Sequence, residues 1–303
     1  MAKKETGIQL LARLGSRPSV KGLEPAVFGN GPQCRDAIEI YGEEGTGKTE
    51  FMVHLIVRCI LPETWNNITL GGHGGGVVFI DTDHKFSILR LAGLMERHVT
   101  KAAANNQGNS TDDVPVDSEA IENLITQCLE KLYVVKCTSS TQLVFTIHNL
   151  ESLICSDPDI SVIMIDSISA FYWIDRALGG ESVAIQEANM RLATEALLRL
   201  VNTYSLVLFA SKSAVFKKKG SDLAEDNEQN GEKSKRVKSL LNEDFDLFHA
   251  EFMCKAWQRF VSHRLVLAKN GETGNQEASF VVGGDCVKGN RQFIVSQSGL
   301  QVL

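Results

Sequence analysis

Gly42-Glu43-Glu44-Gly45-Thr46-Gly47-Lys48-Thr49 fits the phosphate-loop template G-x-x-x-x-G-K-[ST] at every fixed position, and its flanks decide the fold. Ahead of it Ala37-Ile38-Glu39-Ile40-Tyr41 alternates as a strand does. Behind it Phe51-Met52-Val53-His54-Leu55-Ile56-Val57 continues as a helix that stops by Pro62. The order strand, glycine loop, helix suits phosphate: small residues let backbone N–H groups close around its oxygens, and the helix N-terminus adds a partial positive charge. In such a cradle, formed by the loop backbone from Gly42 through Gly47, Lys48 reaches the β- and γ-phosphates and the Thr49 hydroxyl holds Mg²⁺. The expected ligand is therefore ATP with Mg²⁺. The competing explanation is a glycine-rich turn that happens to precede Lys-Thr.

Working outward, apolar runs alternate with helical periodicity. Val77-Val78-Phe79-Ile80-Asp81 reads as a strand buried on both faces, and Leu132 to Cys137, Ser161 to Ser167 and Ser205 to Ala210 read as further strands. Helices are expected over 86–98, 118–131, 141–155, where Leu143, Ile147, Leu150 and Ile154 share one face, and 182–204. Such alternation predicts a parallel sheet with right-handed crossovers. Three strands near Arg264 to Lys269, Ser279 to Val282 and Gln292 to Val295, after a helix containing Trp257, predict an antiparallel extension. Gly71 to Gly76 and 101–118 read as loops, and the charged stretch 216–243 as a mobile one. The expected class is α/β, a phosphate-loop core with a mainly parallel central sheet flanked by helices and a C-terminal antiparallel extension, with a lead-in over 1–35 and the core over 36–303.

The fourth strand is apolar until it ends in Asp166. In phosphate-loop proteins an aspartate at this place meets the Mg²⁺ shell, usually through water, opposite the Thr49 hydroxyl. Otherwise Asp166 would simply cap the next helix.

With 43 % hydrophobic residues the 303-residue chain can build a sizeable core, while a net charge of −6 argues against a protein that coats nucleic acid electrostatically. Seven cysteines, without a C-x-x-C pair, read as reduced thiols rather than a disulfide or zinc framework. No segment approaches membrane-spanning length and the first residues do not form a signal peptide, so an intracellular, soluble protein without membrane contact is expected. Lys217 to Lys219 and Lys233-Ser234-Lys235-Arg236 could serve as a nuclear address or merely solvate a loop.

The phosphate loop, Ile80-Asp81-Thr82-Asp83, Ile165-Asp166-Ser167, Ala170-Phe171-Tyr172 and Ser262-His263-Arg264-Leu265-Val266-Leu267, in this order and spacing, resemble the RecA-like eukaryotic recombinase family, and within it the recombinase paralogues. The resemblance runs from about residue 8 to the end. It implies a nuclear role in homologous-recombination repair of DNA breaks, ATP·Mg²⁺ as ligand, and other recombinase paralogues as partners, with DNA reached through the complex.

The departures from the family sharpen this. Where recombinases that hydrolyse ATP carry a glutamate that activates water, this chain has Asp83, one methylene shorter. Since misplacement by about 1 Å costs roughly a hundredfold in rate, slow or absent hydrolysis is expected. The family's γ-phosphate-sensing glutamine is replaced near Ser211-Lys212-Ser213, and Trp173 falls where the family's first DNA loop has arginine, leaving Arg176 nearby. The phosphate loop begins at residue 42, leaving no room for the family's small helical N-terminal domain. Its Phe-x-x-Ala hook is matched only by Phe28-Gly29-Asn30-Gly31, without the alanine. A terminal subunit that receives a partner's linker and passes none on is expected. Two other classes compete: an independent phosphate-loop ATPase acting on DNA or a nucleotide kinase, and a structural pseudo-ATPase whose loop is a relic.

Overall fold

The structure, a computed structural model, describes residues 5–107, 117–180, 182–214, 216–218, 247–249, 251–269, 278–284 and 291–303. Two helices, α1 (Gly7–Leu14) and α2 (Pro25–Phe28), lead into β1 (Ala37–Gly42) and α3 (Lys48–Ile60). A short hairpin, β2 (Thr64–Trp65) and β3 (Ile68–Thr69), precedes β4 (Gly76–Asp81), α4 (Ile88–Gln107), α5 (Ser118–Leu129), β5 (Leu132–Lys136), α6 (Ser140–Ser156) and β6 (Ile160–Asp166). Then come α7 (Tyr172–Leu178), α8 (Val183–Gln186), α9 (Ala188–Tyr204) and β7 (Val207–Ser213), and the pair β8 (Phe216–Lys218) and β9 (Leu247–His249). The chain closes with α10 (Lys255–Phe260), β10 (His263–Lys269), β11 (Ala278–Gly284), β12 (Arg291–Ser296) and β13 (Gly299–Val302).

The described residues build a nine-stranded sheet in the order β13-β12-β11-β10-β1-β7-β6-β4-β5. From β10 to β5 every neighbour is parallel, and β10 to β13 run antiparallel, as the sequence predicts. Both faces are covered, which explains the unbroken apolar runs. Val77, Phe79, Val162, Met164, Val207 and Phe209 point to the face under α3, α4 and α5, and the residues between them, Val78, Ile80, Ile163, Ile165, Leu208 and Ala210, point to the face under α6, α9 and α10. On the second face Glu151 of α6 receives Arg199 at 2.8 Å and the Tyr204 hydroxyl at 2.9 Å from α9.

Several local expectations need correction. Helix α4 continues through Gln107, past the point where its polar Ala- and Asn-rich end reads as loop, because Leu91, Leu94, Met95, Val99 and Ala103 keep one buried face. The helical stretch expected to run unbroken over 182–204 divides at Glu187 into α8 and α9. The expected flexible loop Gly71–Gly76 is tied down instead: the N–H groups of Gly72, Gly74 and Gly75 donate to the carbonyls of Pro62, Leu61 and Cys59. A Cβ at Gly72 would lie 2.0 Å from the Leu61 oxygen, so glycine is required there by close approach rather than by mobility. Pro25 opens α2, as proline at a first helical position does. Of the stretch expected to be mobile, 216–218 pair with 247–249 as a two-stranded ladder, and 219–243 lie outside the described residues.

Of the described cysteines, Cys59, Cys128, Cys137 and Cys254 are buried and unpaired, and burial pushes the Cys59 thiol up to about 12, where it is inert at neutral pH. Among the described residues no helix is long and apolar enough to cross a membrane.

Candidate functional site

The parallel part of the sheet brings the carboxyl ends of β1, β7, β6 and β4 side by side, where ligands bind in open α/β sheets. The register places Gly42 opposite Ser213 and Asp81 opposite Asp166. The phosphate loop leaves β1 at Gly42, a position with no room for a side chain: a Cβ there would lie 2.4 Å from the Leu267 oxygen and 2.7 Å from Thr46 Oγ1. The loop turns through Gly45 and Gly47 at φ 73° and 80°, the left-handed region that glycine tolerates best, and Gly47 delivers the chain to the N-terminus of α3.

Lys48 bends back over the loop and donates to the carbonyl oxygens of Gly42 at 2.8 Å and Glu43 at 2.7 Å. Thr46 also donates to the Glu43 oxygen, at 2.8 Å. Burial holds the Lys48 ammonium below its ordinary pKa, with Asp166 opposing that shift. A cation held by neutral carbonyls and short of water is suited to receive an anion. Glu43 and Glu44 form the outer rim, and Lys85 reaches Glu44 at 3.6 Å and Asp83 at 3.8 Å. Lys269, on β10, stands beside the loop, its Nζ 3.2 Å from where a Gly45 Cβ would lie.

Behind the loop, Thr49 donates to Asp166 Oδ2 at 2.7 Å, joining α3 to the end of β6. Asp166 is buried, and its Oδ1 accepts from the Ser211 hydroxyl on β7. Thr49 and Asp166, separated by 117 positions, are thus brought together. Asp83 lies just past β4, anchored by its N–H to the Asp166 carbonyl at 3.2 Å. Burial raises its carboxyl pKa, Asp166 adds to the rise, and Lys85 opposes it. Asp81, also buried, accepts from the Phe86 N–H through Oδ2 at 3.3 Å.

The donor set fits ATP·Mg²⁺: a lysine and glycine loop at a helix N-terminus for phosphate, and a hydroxyl beside a buried carboxylate for the cation. Among the described residues no group of three or more His, Cys, Asp or Glu side chains forms a metal centre.

Two features escape sequence reasoning. Ser211 carries no motif and is found only through its contact with Asp166. Lys212, expected near the sensor position, is fully buried and turned away from the loop. It pairs with Glu39 at 2.9 Å and Glu251 at 3.0 Å and lies over the rings of Tyr41 and Phe252. The alternating charge of Glu39 within an otherwise apolar strand is the one signal that a buried cation had to come from elsewhere. Tyr172 and Trp173 lie on α7. They pack on Phe252 with centroids 4.7 and 5.7 Å away, and Arg176 donates to the Tyr172 hydroxyl at 3.1 Å.

Known proteins resemble this chain to different extents. The family profile described as Rad51 matches residues 21–234. The DNA repair protein XRCC2 of Mus musculus is 37% identical over 304 aligned positions, covering 99% of this chain and 97% of the mouse protein. The DNA repair protein XRCC2 homolog of Arabidopsis thaliana is 26% identical over 262 positions, 78% of this chain and 70% of the plant protein. The DNA repair and recombination protein RadA of Methanoculleus marisnigri is 24% identical over 210 positions, 67% of this chain and 57% of its own. With the phosphate loop, Asp83 and Asp166 all inside the matched stretch, and one relative alike over nearly its whole length, the chain belongs to the Rad51 family.

Proposed function

We propose that this chain is an ATP·Mg²⁺-binding subunit of a recombinase-paralogue assembly that serves homologous-recombination repair of DNA breaks in the nucleus, with slow or absent hydrolysis. The observation that carries it is the constellation of Lys48, Thr49 and Asp166 at the carboxyl ends of β1 and β6. Lys48 would meet the terminal phosphates, the loop N–H groups would surround them, and Thr49 with Asp166 would hold Mg²⁺, the latter through water. When bound, ATP·Mg²⁺ would supply negative charge and a cation that hold the loop in one shape.

Slow turnover is supported by what surrounds Asp83. Its short side chain faces Lys85, and Lys212 is spent on Glu39 and Glu251 instead of reaching toward a terminal phosphate. The repair setting is supported by relatives that are named as DNA repair proteins and as a DNA repair and recombination protein. Phe28 supports the terminal position: its ring lies 5.8 Å from that of Phe209 and 6.5 Å from that of Phe51, inside the core, where it cannot serve as a hook for a neighbour. Strand β5, paired on one side only among the described residues, offers an edge to which a partner's linker could add. Arg176 is engaged by its own aromatic neighbours, which favours DNA contact through the complex.

The test is co-purification with recombinase paralogues, with the mass of the complex and its bound nucleotide measured for wild type and Lys48→Ala. Loss of nucleotide together with weakened assembly is expected; intact assembly without nucleotide would favour the structural pseudo-ATPase. Single-turnover hydrolysis as fast as an active recombinase, abolished by Asp83→Ala, would overturn the slow-turnover part. Long filaments of the chain alone at micromolar concentration would overturn its terminal position.

A further inference from the structure

Asp166 sits in an unusual balance. The carboxylate is almost fully buried, and each of its oxygens is held by a hydroxyl from a different element: Oδ2 by Thr49 of α3, Oδ1 by Ser211 of β7. The two donors are not equivalent. Thr49 is half-buried at the start of a helix, and its hydroxyl can turn toward a cation. Ser211 is fully buried within a central strand, paired with Ile40 of β1, and its carbonyl accepts the Ile168 N–H at 3.0 Å. Its backbone cannot follow a change at the loop.

We infer that Ser211 is a positioning residue that holds Oδ1 of Asp166 so that Oδ2 alone faces the cation site. This rests on the reading of the site as one for ATP·Mg²⁺. A buried carboxylate lacking one donor would either swing to find another or present both oxygens, and a hydrogen bond to a charged acceptor is among the strong ones in proteins. When Thr49 releases Oδ2, the Ser211 contact keeps the carboxylate plane where it was. The same bond ties β7 to β6 at the level of the phosphate loop, so the carboxylate's aim depends on three parallel strands at once.

The experiment measures the affinity of the full chain for a fluorescent ATP analogue by anisotropy, with EDTA and with Mg²⁺, for wild type and Ser211→Ala. Expected is an unchanged metal-free affinity and a loss of about tenfold in the tightening that Mg²⁺ produces. In the Asp166→Asn background, Ser211→Ala is expected to cause no further loss. A merely structural role would lower the thermal midpoint and weaken both affinities alike. Should the alanine variant not fold, Ser211→Cys, nearly the same volume with a weak donor, is expected to lose part of the Mg²⁺ increment. Full retention of the Mg²⁺ increment in a folded variant that lacks the hydroxyl overturns the inference alone. Wild type that binds no nucleotide in either condition overturns the reading of the site, and this inference with it.

Discussion

Asp83 carries two opposing influences, a partly buried setting beside Asp166 and the ammonium of Lys85 3.8 Å away. The first prevails, so its native pKa lies above the ordinary carboxylate value. The sign of the consequence follows from linkage: an elevated native pKa favours the folded state below the ordinary carboxylate range, and that contribution is lost as pH rises through the elevated value. At neutral pH the ionised group therefore weighs against folding. Asp83→Asn is expected to raise the melting temperature on the order of 1–2 °C at pH 7, with the gain shrinking as pH falls toward the carboxylate range. Calorimetry across a pH series checks it, and a gain independent of pH would contradict the assignment. Cys59 shows the same effect of burial carried further, a thiol held neutral so that it acts as packing.

Among elements, the junction of β1, β7, β10 and α10 is joined by charge as well as by apolar contact. Glu39, fully buried in the middle of β1, accepts from Trp257 Nε1 at 2.6 Å and faces Lys212 at 2.9 Å and Arg264 at 3.3 Å. Removing Lys212 takes from buried Glu39 its nearest cation and leaves it Arg264 and the Trp257 N–H, whereas replacing both Lys212 and Glu39 with uncharged groups of similar size is far less costly. Lys212→Ala should cost about 3–5 kcal/mol, and Lys212→Met with Glu39→Gln should recover much of it, both measured by urea unfolding. Equal losses in the single and double variants would show that the pairing is not what stabilises the junction. The lead-in is held by a side chain too: Arg17 donates to the carbonyls of Ile154 at 2.8 Å, in the last turn of α6, and of Ile160 at 2.6 Å, at the start of β6.

At the scale of the molecule the sheet has two edges among the described residues, β13 and β5. Val134, in the middle of β5, is 38% exposed, an apolar side chain on an unpaired edge that single proteins usually blunt with charge. If a partner's linker adds to this edge, Val134→Glu should weaken partner binding about tenfold without changing the chain's own melting temperature. Titration calorimetry against a recombinase paralogue reads the first quantity and a thermal melt the second; unchanged affinity would move the partner's seat elsewhere.

The same scale separates what could be read without coordinates from what could not. The phosphate loop, the parallel strands, the antiparallel tail and the carboxylate ending β6 were legible because each is local: a spacing, a period of two or 3.6, a turn residue. The continuation of α4 and the binding of the Gly71–Gly76 loop were not, since polar composition suggests loop until packing supplies a buried face or a carbonyl to meet. Asp166 could be proposed from its place at a strand end, but not Ser211, which becomes its partner only because β7 lies beside β6. Lys212 could be located but not assigned, because nothing within its strand announces Glu39 across the sheet. Sequence by itself determined where most strands and helices lie and that a phosphate-loop motif joins β1 to α3, since backbone geometry and side-chain period act over a few residues. Only tertiary structure decided which buried charge answers which, and which hydroxyl aims the carboxylate, because strand order places side by side groups that the chain keeps 45 or 173 positions apart.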